Sequence, residues 1–333
     1  MKAVIQDRYG PPEALQLKEI DKPEATDDEV LVRIRAASLH PDVWHVVTGR
    51  PYVLRVMGSG LFKPKNPVPG IDMAGRVEAV GASVERFGPG DDVFGEIVKG
   101  HQWKNAGAFA EYVAVPADAL VAKPPNLSFE EAAAVPTSGI LAYENVHGHI
   151  QPGDKVLING AAGGVGMFAV QVAKSEGAEV TAVDSTEKTA MLRSIGADHV
   201  IDYSAEDFTG TGEQYDFVLD IPGNRSFDDL KRIVAPEGSY VYIGHDGFGR
   251  DGGRWIGSGI PRFMKMEMTR PFGSQQTAPR SEEEGVPLEI LSRLLASGSM
   301  TAVIDRTYPL DEVPEALRYL EGGRVQGKIV IVV

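Results

Sequence analysis

The 333-residue chain contains no cysteine, and that absence excludes disulfides, thiolate metal ligands and a cysteine nucleophile. Any metal would have to be held by histidine and carboxylates. No uninterrupted apolar run reaches the roughly 18 residues of a membrane-crossing helix, and no basic start leads into an apolar stretch. Neither a membrane span nor a signal peptide is therefore expected, and the expected location is cytoplasmic. Positive charge is also scarce: 33 lysines and arginines stand against 47 acidic residues, a formal net charge of −14. Phosphate neutralisation needs clustered cationic excess, so nucleic acid is not an expected partner. The basic residues that do gather, Arg50, Arg55, Lys63 and Lys65, are interleaved with proline and glycine and read as a loop. Internal repeats and low-complexity tracts are absent too.

What the chain does contain is centred on Lys155 to Asp184, KVLINGAAGGVGMFAVQVAKSEGAEVTAVD. Val156 to Asn159 reads as a short buried strand, followed by a glycine-rich turn, a helical pattern and a second strand from Val180 to Val183. In this βαβ unit, Gly163 lets the backbone approach a pyrophosphate closely, and Gly166 lets the helix pack tightly on its strand. Free amides at the helix start, with the positive end of its dipole, would face the phosphates. The motif runs A-x-G-x-x-G, with Ala161 where the usual fingerprint has glycine, and Asp184 supplies the acidic residue beyond it. A dinucleotide site is the expectation.

Residues 1 to 124 alternate short β-like runs (MKAVIQ, EVLVRIRAAS, AGRVEAVG, DDVFGE, AFAEYVAVP) with turn punctuation, an irregular β domain. Gly49 to Pro69 is a long loop, carrying Tyr52, Leu54, Val56, Leu61 and Phe62, apolar enough to wall a pocket. Pro124 and Pro125 mark a boundary, after which Ser128 and Glu131 form a capping box opening an Ala-rich helix. The cofactor domain is expected over 125–262. Its further strands are DHVIDY, DFVLD and GSYVYIG, with helical stretches between, which implies a parallel sheet with helices on both faces. Ligands on such sheets sit at the C-terminal strand ends, where strand order reverses. Asp184, Ser185, Tyr203, Ile221, Pro222, Gly244 and His245 are the resulting candidates. A helix from Glu282 to Ala296, introduced by Ser281 and Glu284, and the closing strand KIVIVV belong to a segment, 263–333, that could complete either domain.

Six stretches, NPVPGIDMAGRVEAVG, GAFAEYVAVP, EEAAAVPTSGILAY, INGAAGGVGMFAVQVAK, LRSIGADHVIDY and GKIVIVV, run across nearly the whole chain. In them the chain resembles the medium-chain dehydrogenase/reductase superfamily, and within it the zinc-free, quinone oxidoreductase-like branch. The resemblance implies a GroES-like catalytic domain, a Rossmann domain with a doubly wound parallel sheet, and a C-terminal segment returning to the catalytic domain. It also implies a homodimer, with Tyr240 to Ile243 as an exposed edge strand. The cofactor set it completes is Thr137, Ala162, Gly163, Gly164, Val165, Gly166, Asp184, Ser185, Lys188, Tyr203, Ile221, Ile243, Gly244 and Lys328. Zinc-dependent relatives place Cys, His and Cys where this chain has His40, Ile71 and Thr137. Ile71 cannot bind metal, so no zinc is expected. His147, His149 and His245 read as solvated loop histidines.

Without zinc, a simple alcohol is poorly polarised. A quinone or α,β-unsaturated carbonyl still accepts hydride from nicotinamide with hydrogen-bond assistance at its oxygen. The expected activity is NAD(P)H-dependent reduction of a small hydrophobic electrophile, with Tyr52 and His40 as candidate assisting groups. Trp44, His45, Trp103 and Trp255 are candidate lining residues. Two alternatives remain at this stage: a dinucleotide-binding protein with little turnover, and a zinc-independent alcohol or acyl-linked oxidoreductase. Asp184 favours NADH, because a carboxylate accepts from ribose hydroxyls and repels a 2′-phosphate, whereas relatives prefer NADPH; both are expected to bind.

Overall fold

The computed structural model describes residues 1–98, 104–243 and 287–333. They group into two compact units, Met1–Ser138 with Leu288–Val333, and Gly139–Pro287. The first passage between units thus falls at 138/139, where the composition change suggested 124/125. The reason is packing: the Ala-rich helix α2 (Phe129–Ala133), introduced below, lies on strands of the first unit. The expected 262/263 boundary lies outside the described residues.

The first unit is mainly antiparallel. Strand β1 (Lys2–Ile5) pairs with β2 (Gln16–Glu19), while β3 (Glu29–Leu39), β4 (Asp72–Val80), β5 (Asp92–Glu96), β6 (Tyr112–Pro116) and β7 (Val121–Ala122) form the body of a larger sheet. β3 pairs with both β4 and β6, and its apolar alternation buries Val30, Val32, Ile34 and Ala36. Helix α1 (Pro41–Thr48) follows β3, with Pro41 at its first turn and Gly49 closing it at φ +62°, a left-handed value that glycine adopts without strain. The segment expected to be an unstructured loop after it contains a short π-helical turn, Arg55–Ser59, closed by the Gly60 amide on the Arg55 carbonyl at 3.1 Å. Ser128 and Glu131 make the expected capping box on α2: Ser128 Oγ accepts from the Glu131 amide at 3.0 Å, and Glu131 Oε2 from the Ser128 amide at 2.8 Å.

Helix α3 (Pro136–Val146) leads into the second unit. There β8 (Lys155–Asn159), α4 (Gly164–Ser175), β9 (Glu179–Asp184), α5 (Thr189–Ser194), β10 (His199–Asp202), β11 (Tyr215–Asp220), α6 (Phe227–Ile233) and β12 (Val234–Tyr242) alternate. The strands are parallel in the order β10-β9-β8-β11-β12. The order therefore reverses direction at β8, between β9 and β11, which puts the turn after β8 at the position where such sheets take ligands. Leu157, Val183, Val218, Leu230 and Ile233 share one core cluster, each buried side chain worth about 1.5–3 kcal/mol.

The chain then returns. Helix α7 (Pro287–Ala296), β13 (Ile304–Pro309), α8 (Val313–Glu321) and β14 (Lys328–Val332) belong to the first unit, where β14 pairs antiparallel with β3 and parallel with β13. α8 buries Val313, Ala316, Leu317 and Leu320, a spacing of three and four that makes one apolar stripe. The return of the C-terminal segment implied by the family resemblance is present over 288–333.

Candidate functional site

The glycine turn is built by contacts that leave its ligand face clear. Gly160 has φ +79° and packs so close to Pro222 that a Cβ would lie 2.9 Å from its ring. A Cβ on Gly166 would sit 2.3 Å from the Gly160 carbonyl oxygen, inside contact distance, so this glycine serves helix packing. At Gly163 a Cβ would meet only the Gly160 oxygen, at an ordinary 3.4 Å. The protein itself has no need of glycine there, which leaves the space to a ligand. Gly163 caps α4 without a side chain, and the first amides of the helix, at Gly164, Val165 and Gly166, precede any intrahelical acceptor. A dinucleotide pyrophosphate fits this cradle by charge, by dipole and by space.

Asp184 sits beside the turn at the end of β9. Its carboxylate is buried: Oδ2 accepts from the Ala162 amide at 3.0 Å, and Oδ1 accepts from the Ser185 amide at 2.9 Å and faces Lys188 Nζ at 3.2 Å. The carboxylate thus holds the turn and is partly neutralised by Lys188. Tyr203 is exposed and its amide donates to the Asp184 carbonyl at 3.2 Å. Ile221 and Ile243 lie at the ends of β11 and β12, half-buried. Gly244 and His245 lie outside the described residues, as do Trp103, Trp255, Ser281 and Glu284.

One residue that sequence reasoning passed over organises this end of the sheet. Asp220, fully buried at the end of β11, accepts from Asn159 Nδ2 at 2.8 Å, from the Gly223 amide at 3.1 Å and from Tyr240 Oη at 3.1 Å. It ties the Ile221–Pro222 turn down beside the glycine turn. A carboxylate ending an apolar strand run, DFVLD, was the available signal.

In the first unit the candidates separate into buried and half-buried positions. His40 caps α1 and is 4% exposed, its Nδ1 lying 3.0 Å from Asp42 Oδ2 and 3.3 Å from the Asp42 amide. Nδ1 accepts from the Asp42 amide, which makes His40 the N-cap of α1. Tyr52 is half-buried with the Arg55 guanidinium 4.5 Å from its ring centroid; the same guanidinium lies 4.3 Å from the Tyr9 ring. Trp44 and His45 are buried, and His45 Nδ1 lies 2.7 Å from the Arg50 carbonyl oxygen, which makes both part of the helix packing.

The three metal-ligand positions of zinc-dependent relatives are occupied here by other interactions. Ile71 is buried. Thr137 donates its hydroxyl (2.5 Å) and its amide (3.1 Å) to Asp72 Oδ1. Asp72 Oδ2 accepts from Ser38 Oγ at 3.1 Å and faces Lys328 Nζ at 3.7 Å, beyond hydrogen-bond length, while Lys328 donates to Ser138 Oγ at 3.2 Å. Asp72 and Lys328 are both almost fully buried. Burial holds the Lys328 ammonium below its ordinary pKa, and the Asp72 charge offsets part of that shift. Lys328, expected as a cofactor contact, therefore directs its ammonium to Ser138 and Asp72.

Of the histidines expected in solvent, the two described, His147 and His149, are half-buried instead. His147 Nδ1 lies 2.6 Å from Glu176 Oε1 and its ring stacks on Tyr143 at 4.4 Å; His149 stacks on Phe217 and burial lowers its pKa. Packing against aromatic neighbours partly shields them from water. Among the described residues no group of three or more His, Asp or Glu could hold a metal ion.

Two family models match: the alcohol dehydrogenase GroES-like domain over residues 26–125 and a zinc-binding dehydrogenase domain over 195–331. The chain is 34% identical to a 2-methylene-furan-3-one reductase of Solanum lycopersicum, over 99% of this chain and 79% of that protein. It is 31% identical to a chloroplastic NADPH-dependent alkenal/one oxidoreductase of Arabidopsis thaliana, with the same coverage. In three dimensions it is similar to a quinone oxidoreductase from Coxiella burnetii, with a TM-score of 0.81 and 28% identity over 100% of this chain and 99% of that one.

Proposed function

This chain belongs to the medium-chain dehydrogenase/reductase superfamily, in its quinone oxidoreductase-like branch, and on that premise we propose that it is an NAD(P)H-dependent reductase of quinones or α,β-unsaturated carbonyls. The observation that carries the dinucleotide half is the room left at Gly163, at the reversal point of a parallel sheet. The electrophile half is supported by relatives whose names specify an enone, an alkenal or a quinone.

In this reading Ala162, Gly163, Gly164, Val165 and Gly166 hold the pyrophosphate, and Asp184, Ser185, Lys188 and Tyr203 receive the adenosine ribose. Ile221, Ile243 and Gly244 complete the contacts, and Thr137 and Lys328 act through the Asp72 cluster. The bound nicotinamide supplies the hydride. Tyr52 carries a hydroxyl, so it is assigned as hydrogen-bond donor to the developing oxyanion. His40, whose Nδ1 accepts from the Asp42 amide and lies 3.0 Å from the Asp42 carboxylate, is assigned an orienting part.

We further propose that catalysis proceeds without zinc. Ile71 offers no ligand atom, and the Thr137 hydroxyl is bound to Asp72. A homodimer paired through β12, an edge strand among the described residues, belongs to the same proposal, as does a cytoplasmic location; no described helix is long and apolar enough to cross a membrane.

The test is to mix protein with NADPH or NADH and a panel of quinones and enones, and to follow loss of reduced-nicotinamide absorbance. Turnover of at least one acceptor class is expected. Tight cofactor binding with no turnover on any acceptor would overturn the reading in favour of a dinucleotide-binding role.

A further inference from the structure

Residues 50–65 carry the most exposed large apolar side chains of the described chain: Phe62 is 86% exposed, Val56 76% and Leu61 57%. They are held out by an ordered turn. Tyr9 Oη donates to the Gly60 carbonyl at 2.5 Å, Arg55 Nε to the Gly49 carbonyl at 2.9 Å, and the Lys65 amide to the Ser59 carbonyl at 3.0 Å. Arg50, Lys63 and Lys65 are exposed around them. Although the chain holds 47 acidic residues, none falls between Asp42 and Asp72. A preorganised loop thus presents bare apolar tips within a local field of positive charge.

We propose that this loop docks the protein on the surface of an anionic lipid bilayer. Phe62, Leu61 and Val56 enter the interfacial layer, while Arg50, Lys63 and Lys65 meet the headgroups. Three features select this occupant. A phenylalanine 86% exposed stands clear of neighbouring side chains, whereas a peptide ligand requires a groove or a sheet edge. Three apolar side chains fall short of the roughly 800 Å² per partner that a stable protein interface buries. A second copy meeting the loop about a two-fold axis would bring like charges together. The net charge of −14 does not oppose docking strongly, because charges more than about 8 Å from the surface are screened at physiological salt.

Docking of this kind is peripheral and reversible. Each basic residue near an anionic surface contributes about fivefold in binding, so the Lys63→Glu, Lys65→Glu double variant should bind at least ~25-fold more weakly. Phe62→Ser, an exposed position where folding is insensitive, should cost about tenfold.

The experiment is flotation of the full chain with vesicles of mixed phosphatidylglycerol and phosphatidylcholine, beside vesicles of phosphatidylcholine alone. The protein is expected to float with the anionic vesicles, to be released by salt, and to stay behind in both variants. Equal recovery on the two vesicle types, absence from both, or undiminished flotation of the variants overturns the proposal. So does a dimer in lipid-free light scattering that Phe62→Ser abolishes, which would assign the loop to self-association. Loss of turnover of a water-soluble enone by the double-lysine variant without vesicles, with flotation unchanged, would assign the loop to substrate. Quinone reduction itself can fail without touching these measurements.

Discussion

The glycine turn after β8 and the carboxylate cluster around Asp72 both bury polar groups, but they are assembled from the chain in different ways. The turn draws its polar contacts from residues 160–188, one βαβ unit and the turn that follows it, with Pro222 packed against Gly160 from the next strand end. The cluster draws Ser38, Asp72, Thr137, Ser138 and Lys328 from β3, β4, the start of α3 and β14. Locality makes the first tolerant of substitution on its ligand face, since neighbours in sequence hold it in register. The second depends on every strand being in place, because no member has a local partner to fall back on.

The largest expected effect separates ligand space from structural space within the turn. Gly163→Val should lower NADPH and NADH affinity by at least about a hundredfold, since a β-branched side chain fills the pyrophosphate position, which is worth several charge-assisted hydrogen bonds. Its melting temperature should stay near that of the parent, because the Cβ meets only an ordinary contact. Gly166→Ala should do the reverse, losing about 1–3 kcal/mol of stability to overpacking against the Gly160 backbone. Calorimetric titration and thermal unfolding of the two variants check the pair. Equal affinities for parent and Gly163→Val would misplace the site.

In the cluster, Asp72→Ala should destabilise by about 3–5 kcal/mol, the cost of leaving a buried ammonium without its counter-charge. The Thr137 and Ser38 hydroxyls lose their acceptor as well. Pairing Asp72→Leu with Lys328→Met should recover much of that loss, as apolar replacement of a buried ion pair commonly does. Urea unfolding of the single and double variants measures the coupling, and strict additivity would deny that the two residues form a unit.

Much of the glycine turn and its strands was legible because hydrophobic period and turn chemistry are local signals. The capping box at Ser128 and the strand ends at Asn159 and Asp184 follow from spacing along a few residues. The Asp72 cluster was not legible in that way. Nothing in IDMAG marks Asp72 as the acceptor for a threonine 65 residues away, and Lys328 reads from its neighbours only as the start of an apolar strand. The half-buried state of His147 and His149 was hidden for the same reason, since Glu176 and Phe217 reach them from later in the chain. Asp184 lies between these cases: its place was legible, while its bond to the Ala162 amide became visible only in three dimensions.

A pH titration sharpens the contrast. Lys328 has a folded-state pKa below its ordinary value of 10.5, so the unfolded chain binds its proton more tightly than the native protein does. Stability contributed by this group therefore rises with pH through the window between the lowered value and 10.5, and is fully recovered above it. The parent should gain stability relative to Lys328→Met across that window. Urea midpoints measured at intervals up to pH 10.5 test the sign. A difference that stays flat would place the lysine in water.

The smallest effect concerns the choice of nicotinamide, where the local and the assembled overlap in one side chain. Two like unit charges about 4 Å apart repel by roughly 4 kcal/mol at an effective dielectric of 20. Lys188 lies 3.2 Å from the Asp184 carboxylate, and its charge with solvent screening reduces the repulsion felt by a 2′-phosphate to about 1–2 kcal/mol. Asp184→Asn removes the charge and keeps an oxygen for the Ala162 amide, and it frees Lys188 to meet the phosphate. The ratio of NADPH to NADH affinity should therefore rise about tenfold, with a stability cost confined to the half-buried Ser185 amide, which then faces the asparagine Nδ2 donor in place of Oδ1. Asp184→Ser also removes the charge but is too short to reach Ala162, so it should shift the ratio in the same direction and cost about 1–3 kcal/mol for the orphaned amide. Titration of both nicotinamides into each variant, beside urea unfolding, separates the two roles. If stability falls in the serine variant while the affinity ratio stays put in both, Asp184 serves the turn alone and the choice of nicotinamide is made elsewhere.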